Sequence, residues 1–299
     1  MGKDVPRFTI SGMDRRRYRD KVRRNLDVLA RMLRESQFEF DRPHIGLEIE
    51  LNLVDGRGEP LMRNADVLKA IADPAWATEL GQFNIEINIP PRELGGGGTG
   101  ELERDILGYL KHADGRAREL GGALMLVGIL PTLRESDLGE ESLSANERYK
   151  ILNEQIFAAR GEDMHIDIDG PERLALHIDN IAPEAACTSA QFHLQVSPDD
   201  FAAYWNAAQS IAGVQVALAA NSPFLFGRRL WHETRITLFE QATDTRPVEL
   251  KHQGVRPRVW FGERWITSVF DLFEENVRYF PALLPISDEE DPLAVLEGG

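Results

Sequence analysis

Residues 45–54, IGLEIELNLV, decide the fold, because their side chains alternate between apolar and polar along the chain. Successive side chains of a β-strand point to opposite faces, so the leucines and isoleucines would lie on one face and Glu48 and Glu50 on the other. The segment is therefore predicted to be a strand with one buried face and one face that carries carboxylates.

Two later segments, residues 82–89 and 191–196, show the same alternation and are predicted to be strands as well. Pro90-Pro91 is predicted to end the first of them. Glu and Asn are depleted in strands, so their repeated placement on one face requires a reason. None of these polar faces carries Lys or Arg; the polar residues of the two later strands are Gln82, Asn84, Glu86, Asn88, Gln191, His193 and Gln195.

The remaining patterns place helices between and after these strands. Apolar residues at helical spacing, caps and Gly or Pro stops predict helices at residues 14–35, 64–72, 101–120, 146–160, 199–220 and 268–280. Asn64 is the predicted N-cap of the second helix. Residues 123–130 and 165–169 are predicted to be two further strands. We therefore predict an α+β fold, a curved and mostly antiparallel sheet with helices packed on its apolar face.

The chain is expected to form one domain. Residues 1–40 contribute an N-terminal helix, and residues 41–299 form the remainder of the same domain. The final stretch, SDEEDPLAVLEGG at residues 287–299, is polar and is predicted to close no helix or strand. This ending is typical either of a natural disordered tail or of a fold that continues further.

Composition excludes several classes of protein. The net charge of −15 argues against a protein that grips a phosphate backbone, so no nucleic-acid partner is expected. The longest apolar stretches are too short to cross a bilayer, and the N-terminus lacks the apolar region of a signal peptide. A single cysteine, Cys187, is typical of a reducing compartment, so a cytoplasmic location is predicted. Homo-oligomerisation is left open by these data.

The polar faces indicate a site for a divalent cation. Glu48 and Glu50 stand two residues apart on one face, so their carboxylates lie close together and repel each other. Glu86 and His193 would add two more ligands to that surface. Carboxylates, amides and one imidazole suit Mg²⁺ or Mn²⁺ better than structural zinc. The alternative is a set of antiparallel strands facing water, and the recurrence of the pattern in three strands without a cation favours the metal site.

Four segments, taken in order, resemble the glutamate–cysteine ligases and related carboxylate–amine ligases, which share the catalytic fold of glutamine synthetase. They are IGLEIELNLVD, GQFNIEINIPP, TSAQFHLQVSP and ANSPFLFGRR, and the resemblance runs from about Pro43 to Phe280. It implies a ligase of glutathione biosynthesis in which ATP phosphorylates the γ-carboxylate of glutamate. The amine of cysteine, or another amine, would then attack the acyl phosphate to form an amide.

The resemblance also implies roles for individual residues. Glu48 and Glu50 match carboxylates that bind one metal ion each, and His193 matches a histidine that shares a metal with Glu48. Glu86 matches the glutamate before the proline turn. An earlier acid of that segment matches Glu79, although Gln82 competes for the same role. Mg²⁺ or Mn²⁺ is thus the expected cofactor and ATP the expected co-substrate.

Other residues are candidates for substrate contacts. Asn84, Gln191 and Gln195 lie on the polar faces and are predicted to contact the nucleotide. Arg235 is predicted to hold a substrate carboxylate or a phosphate. The alternative for Arg235 is an ion pair with Glu233 or Glu240.

One part of the family pattern is missing. The resemblance implies a later strand with a further metal-binding Glu and a nearby phosphate-binding Arg, and no such strand is recognisable after Val269. We therefore expect this chain to be the N-terminal portion of a longer fold. Two alternatives stay open, a ligase that uses another amine and a non-catalytic relative that binds metal or nucleotide.

Overall fold

The computed structural model describes residues 10–38, 40, 42–95, 97–287 and 290–298. Its helices are α1 (Gly12–Arg34), α2 (Asn64–Ile71), α3 (Gly98–Glu119), α4 (Glu147–Arg160), α5 (Phe201–Ala219), α6 (Thr234–Ala242), α7 (Val248–His252), α8 (Val269–Tyr279) and α9 (Pro292–Gly298). Its strands are β1 (His44–Asp55), β2 (Trp76–Thr78), β3 (Asn84–Glu93), β4 (Gly122–Met125), β5 (Met164–Asp169), β6 (Arg173–Ile178), β7 (Ala190–Leu194), β8 (Phe224–Leu225) and β9 (Arg228–Arg229). Short 3₁₀ turns include Ala182–Ala186.

The central sheet is antiparallel, as predicted. Its strand order is β2-β3-β1-β4, and β7 lies beside β1 on the same edge as β4. β7 pairs with residues 45–49 of β1, and β4 pairs with residues 52–55. The long strand β1 therefore stands at the centre, with β3 along one side and two short strands sharing the other.

One face of the sheet is covered by helices, as the alternation predicts. The leucines and isoleucines of β1 and β3 pack against Val67 and Ile71 of α2 and against Ala113 and Ala117 of α3. Full burial of a large aliphatic side chain contributes roughly 1.5–3 kcal/mol, so this cluster holds the acidic strands in place. A second hydrophobic core joins Phe83 to side chains of β5 and α6.

Strand β3 extends beyond its predicted end. Pro90 and Pro91 lie within it, and pairing with β1 continues as far as Glu93. Proline is tolerated there because β2 pairs with β3 only over residues 85–87, which leaves the outer edge of the proline segment unpaired. The prediction that Pro90-Pro91 ends the strand is wrong.

The strand predicted at residues 123–130 is shorter than expected. β4 ends at Met125, and residues beyond it leave the sheet. The reason is competition for one edge, because β7 occupies β1 below residue 50 and leaves β4 only four pairing positions, residues 52–55.

Asn64 does not cap α2 as predicted. The helix begins at Asn64 itself, and Arg63 occupies the N-cap position. The Asn64 amide instead donates to the carbonyl oxygens of Gly81 and Asn84 and to Ser144 Oγ, at 2.8 Å for the last. Asn64 thus ties the helix to the segment that precedes β3.

The polar tail forms a helix, contrary to the prediction that it closes no element. α9 spans Pro292–Gly298 and lies against α1, with Arg31 Nη1 3.0 Å from Glu297 Oε1 and Arg24 Nη1 3.3 Å from Asp291 Oδ2. Of the predicted tail, Asp288, Glu289 and Gly299 fall outside the described residues.

The apolar side of β7 is solvent-exposed, so the prediction that helices cover the apolar face fails at this strand. Phe192 is 67% and Leu194 43% exposed. β7 lies at the sheet edge, and the side chains packed over the central strands come from α2 and α3.

Among the described helices, none combines the length and apolar character that crossing a bilayer demands.

Candidate metal and nucleotide site

The polar face of the sheet brings acids from neighbouring strands into register. Glu50 of β1 lies directly opposite Glu86 of β3, and Glu48 lies between Asn88 of β3 and Gln191 of β7. Directly opposed residues of an antiparallel pair project from the same face. The alternating sequence therefore concentrates negative charge in the middle of the sheet.

His193 joins this row from the edge strand. It pairs with Gly46 across the β1–β7 ladder, and its Nε2 lies 3.4 Å from Glu48 Oε1. The predicted partnership of His193 with Glu48 is thus present as a side-chain contact. An imidazole and a carboxylate at this separation can both turn toward one cation.

Glu79 and Glu86 form the buried part of the site. Burial, together with the nearby charges of Glu50 and Glu86, raises the pKa of Glu79 to about 8. Burial also raises the pKa of Glu86, which is 3% exposed and lies close to Glu48 and Glu79. Its Oε2 atom has no hydrogen-bond partner among the described residues. Buried polar atoms are normally satisfied, so this oxygen calls for a ligand.

Glu50 is held in place by the start of β7. Its Oε2 accepts hydrogen bonds from Ser189 N at 2.7 Å and from Ser189 Oγ at 3.2 Å. Burial raises the pKa of Glu50, and the two hydrogen bonds from Ser189 oppose that rise. The carboxylate is therefore fixed in direction while one of its oxygens, Oε1, remains available.

The donor set fits a hard divalent cation. Among the residues described, no three Asp, Glu, His or Cys side chains already stand in the arrangement of a closed metal site. An open set is what Mg²⁺ requires when water and substrate phosphates complete its shell. A cation would neutralise the repulsion among Glu48, Glu50, Glu79 and Glu86 and satisfy the buried Glu86 oxygen.

Glu79 and Gln82 are the two candidates for the same ligand position, and their surroundings differ. Gln82 Nε2 donates to the carbonyl oxygens of Glu141 at 2.7 Å and Leu143 at 3.0 Å, so its amide serves the loop beside the sheet. Glu79 instead faces Glu86 and Glu50. The structure therefore brings Glu79, and not Gln82, next to the other carboxylates.

The three residues expected to contact the nucleotide are dispersed. Asn84 is buried, and its Nδ2 donates to Asn52 Oδ1 at 3.1 Å. Gln191 is exposed beside Glu48. Gln195 lies past the end of β7, where its Oε1 is 3.0 Å from His44 Nδ1. Asn84 is thus held within the sheet, whereas Gln191 and Gln195 have exposed side chains.

Arg235 makes the ion pair that the sequence allows as its alternative role. Its guanidinium hydrogen-bonds Glu233 and the Thr188 carbonyl oxygen, with a longer contact of 3.5 Å to Ala219 O. Both side chains of the pair are largely buried. Arg235 therefore braces the segment that leads into β7, and the same bracing places Ser189 against Glu50.

A cavity of about 530 Å³ adjoins the carboxylates on this side. Glu50, Glu79 and Arg235 line it together with Glu184 and Cys187. Burial, together with the nearby charge of Glu50, raises the pKa of Glu184 to about 7. The sequence analysis missed Glu184; its signal is an acid inside the otherwise apolar stretch IAPEAAC at residues 181–187.

A second cavity, of about 910 Å³, opens beside Glu48 and His193. Its walls combine Pro90 and Pro91 with aromatic residues of α5, among them Trp205. The row of carboxylates thus lies between an aromatic cavity and an acidic one.

One family of known proteins matches this chain. The family model described as glutamate-cysteine ligase family 2 (GCS2) matches residues 44–259, which include every acid and the histidine of the site. No curated protein gives a significant match to the chain.

Proposed function

This chain belongs to glutamate-cysteine ligase family 2, and we propose that it is an ATP-dependent carboxylate–amine ligase that forms γ-glutamylcysteine through γ-glutamyl phosphate. The observation that carries the proposal is the Glu86 carboxyl group, buried among other acids with one oxygen unsatisfied. Such an arrangement is unfavourable in the free protein and becomes favourable when a cation binds.

Glu48, Glu50, Glu79, Glu86 and His193 are the proposed ligands of Mg²⁺ or Mn²⁺. When bound, the metal would supply positive charge to the ATP phosphates and to the γ-carboxylate that attacks them. The protein contributes fixed directions, since Ser189 orients Glu50 and the β1–β3 register sets Glu86 opposite it.

The reaction needs no covalent nucleophile on the protein. An oxygen of the substrate's γ-carboxylate attacks the γ-phosphorus of ATP, and ADP leaves. The neutral amine nitrogen then attacks the acyl carbon, the carbon–oxygen bond to phosphate breaks, and inorganic phosphate leaves with the proton that the nitrogen loses. Cys187 does not serve as a nucleophile in this scheme, because burial raises the pKa of its thiol, whose Sγ lies 3.7 Å from the Arg235 carbonyl oxygen.

The aromatic cavity beside Glu48 and His193 is the proposed place of the nucleotide base. Stacking on aromatic side chains of α5 would hold the base, and Gln195 at the cavity wall would offer its amide. This position directs the phosphates toward the carboxylates of β1.

The test is ATP-to-ADP turnover by the purified chain with Mg²⁺ and glutamate, adding cysteine or other amines one at a time. Turnover that requires glutamate and an amine supports the ligase. A folded chain that binds Mg²⁺–ATP yet turns over with no amine contradicts it and indicates a relative that binds without catalysis.

A further inference from the structure

Building on the proposed ligase activity, we propose that the acidic cavity beside Glu50 binds the acceptor amine and that Glu184 holds its ammonium group. The favoured acceptor is an α-amino acid with a small, uncharged side chain, as cysteine has. This assignment gives the second substrate a place and a recognition group.

Glu184 is the distinctive residue of this cavity. It lies on the 3₁₀ turn Ala182–Ala186, which is otherwise built from alanine and proline and packs into the core. Its carboxyl group lines the cavity, is half-buried, and has no hydrogen bond or ion pair with the residues that the structure describes. A partly buried carboxylate without a partner gains from a cationic ligand.

The other acids around the cavity are already committed. Glu50 is fixed by Ser189, and Glu79 belongs to the buried carboxylate group. Glu233 is paired with Arg235, and Glu240 is exposed to solvent at the rim. Glu184 is therefore the carboxylate best placed to bind a charged group of a substrate.

The cavity is unsuited to an acceptor whose side chain adds a second negative charge to that of its α-carboxylate. Among its described lining residues Arg235 is the only Lys or Arg, and its guanidinium is engaged by Glu233 and Thr188. An ammonium group complements the remaining negative charge. An acidic side chain would be repelled by it.

The opposite wall of the cavity is apolar. Ile236 and Phe239 project from α6 into the space, and Val259 lies beside them. Ile236 is 44% exposed, so its apolar surface is available to a ligand. A small aliphatic or thiol-bearing substituent would cover this wall and remove apolar surface from water.

The position also suits the reaction. Glu50 lines the cavity and belongs to the carboxylate row that would hold the cations and the acyl phosphate. An ammonium group held by Glu184 would therefore stand beside the acyl carbon, where it would transfer one proton to the Glu184 carboxylate before the neutral nitrogen attacks. Holding two reactants together in this way contributes to rate through proximity.

The experiment separates acyl phosphate formation from amine binding. Hydroxylamine, which is uncharged at neutral pH, captures an acyl phosphate as a hydroxamate without needing an ammonium site. Hydroxamate formation and ADP release with cysteine or 2-aminobutyrate are measured for the wild-type chain, for Glu184→Gln, and for the rim control Glu240→Gln.

We expect Glu184→Gln to raise the KM for the amine by about tenfold or more while hydroxamate formation stays within about twofold of wild type. Glu240→Gln is expected to leave both unchanged. Hydroxamate formation together with an unchanged amine KM in Glu184→Gln overturns the amine site alone. Absence of hydroxamate from the wild-type chain overturns the ligase itself, and the amine site with it.

A second measurement needs no variant and is unaffected if Glu184→Gln fails to fold. The wild-type kcat/KM for 2-aminobutyrate is compared with that for aspartate, which adds a carboxylate to a substituent of similar size. We expect a preference of about tenfold or more for 2-aminobutyrate. Equal use of aspartate overturns the assignment.

Discussion

Glu50 and Glu86 occupy directly opposed positions on neighbouring antiparallel strands, so two carboxylates face each other on one side of the central sheet. Like charges at opposed positions destabilise a sheet. Burial adds to the unfavourable energy, since it raises the pKa of both groups. The protein therefore keeps at its centre an arrangement that weakens the free fold and that a bound cation would reverse.

The loss of stability caused by the buried Glu86 carboxylate should be measurable in the variant Glu86→Gln. We expect the variant without ligand to be more stable than wild type by about 1–2 kcal/mol, because a buried repulsive charge is removed. Stabilisation by Mg²⁺ should largely disappear. Thermal unfolding with and without Mg²⁺–ATP measures both effects. The control is Glu103→Gln, at a solvent-exposed position of α3. A variant less stable than wild type that still responds to Mg²⁺ would contradict the proposed ligand role.

Glu50→Gln and His193→Ala should both weaken Mg²⁺–ATP binding while leaving the fold intact. Even the partners of metal ligands affect metal affinity by about 10–100-fold, so loss of a direct ligand should cost at least about tenfold. Titration calorimetry measures the affinity, and circular dichroism checks the fold. His177→Ala, on the separate β5–β6 hairpin, is the control. Unchanged nucleotide binding in both variants would contradict the assignment of Glu50 and His193 as metal ligands.

Stability should depend on pH in a direction set by Glu79. The pKa of this residue is raised to about 8, so the folded state holds its proton more tightly than the unfolded state does. The free energy of unfolding contributed by this group should therefore fall as pH rises from about 4.5 to about 8. The charged groups that act on it are Glu50 and Glu86.

Mg²⁺ should reverse this trend, because a cation displaces the proton. We expect the rise in Tm caused by Mg²⁺ to be larger at about pH 9 than at about pH 6. Glu79→Gln should flatten the pH dependence of the free protein. The same rise in Tm at both pH values would exclude Glu79 from the metal site.

Arg235 and Glu233 should behave as one energetic unit. Arg235→Gln leaves the largely buried Glu233 carboxylate without its cation, which should destabilise the chain by about 3–5 kcal/mol. The double variant with Glu233→Gln should recover part of this loss. Urea unfolding of the four proteins gives the coupling energy. If Arg235→Gln keeps wild-type stability but loses turnover, Arg235 acts on substrate and is not a brace.

The central sheet was predictable because its strands carry their own evidence. In β1 and β3, alternation at every second residue identifies both the buried face and the acidic one, and no other element competes for that signal. The bounds of β4 were not predictable, because they depend on β7 occupying the same edge of β1. Periodicity within one segment contains no information about a distant strand.

Prediction of the site residues from sequence has the same limit. Glu48, Glu50, Glu86 and His193 lie on regular strands, and their common face follows from their spacing. Glu184 lies on a 3₁₀ turn, where no alternation indicates the direction of a side chain. The pairing of Arg235 with Glu233 was one of two possibilities from sequence and required the fold to decide between them.

The two halves of the site come from different parts of the chain. The paired carboxylates lie on β1 and β3, whereas the apolar wall of the acidic cavity comes mostly from α6, far along the sequence. Substitutions at Ile236 or Phe239 would therefore leave undisturbed the strands that hold the carboxylates. If the proposed amine site is correct, the choice of acceptor could change while the carboxylate-activating strands stay the same.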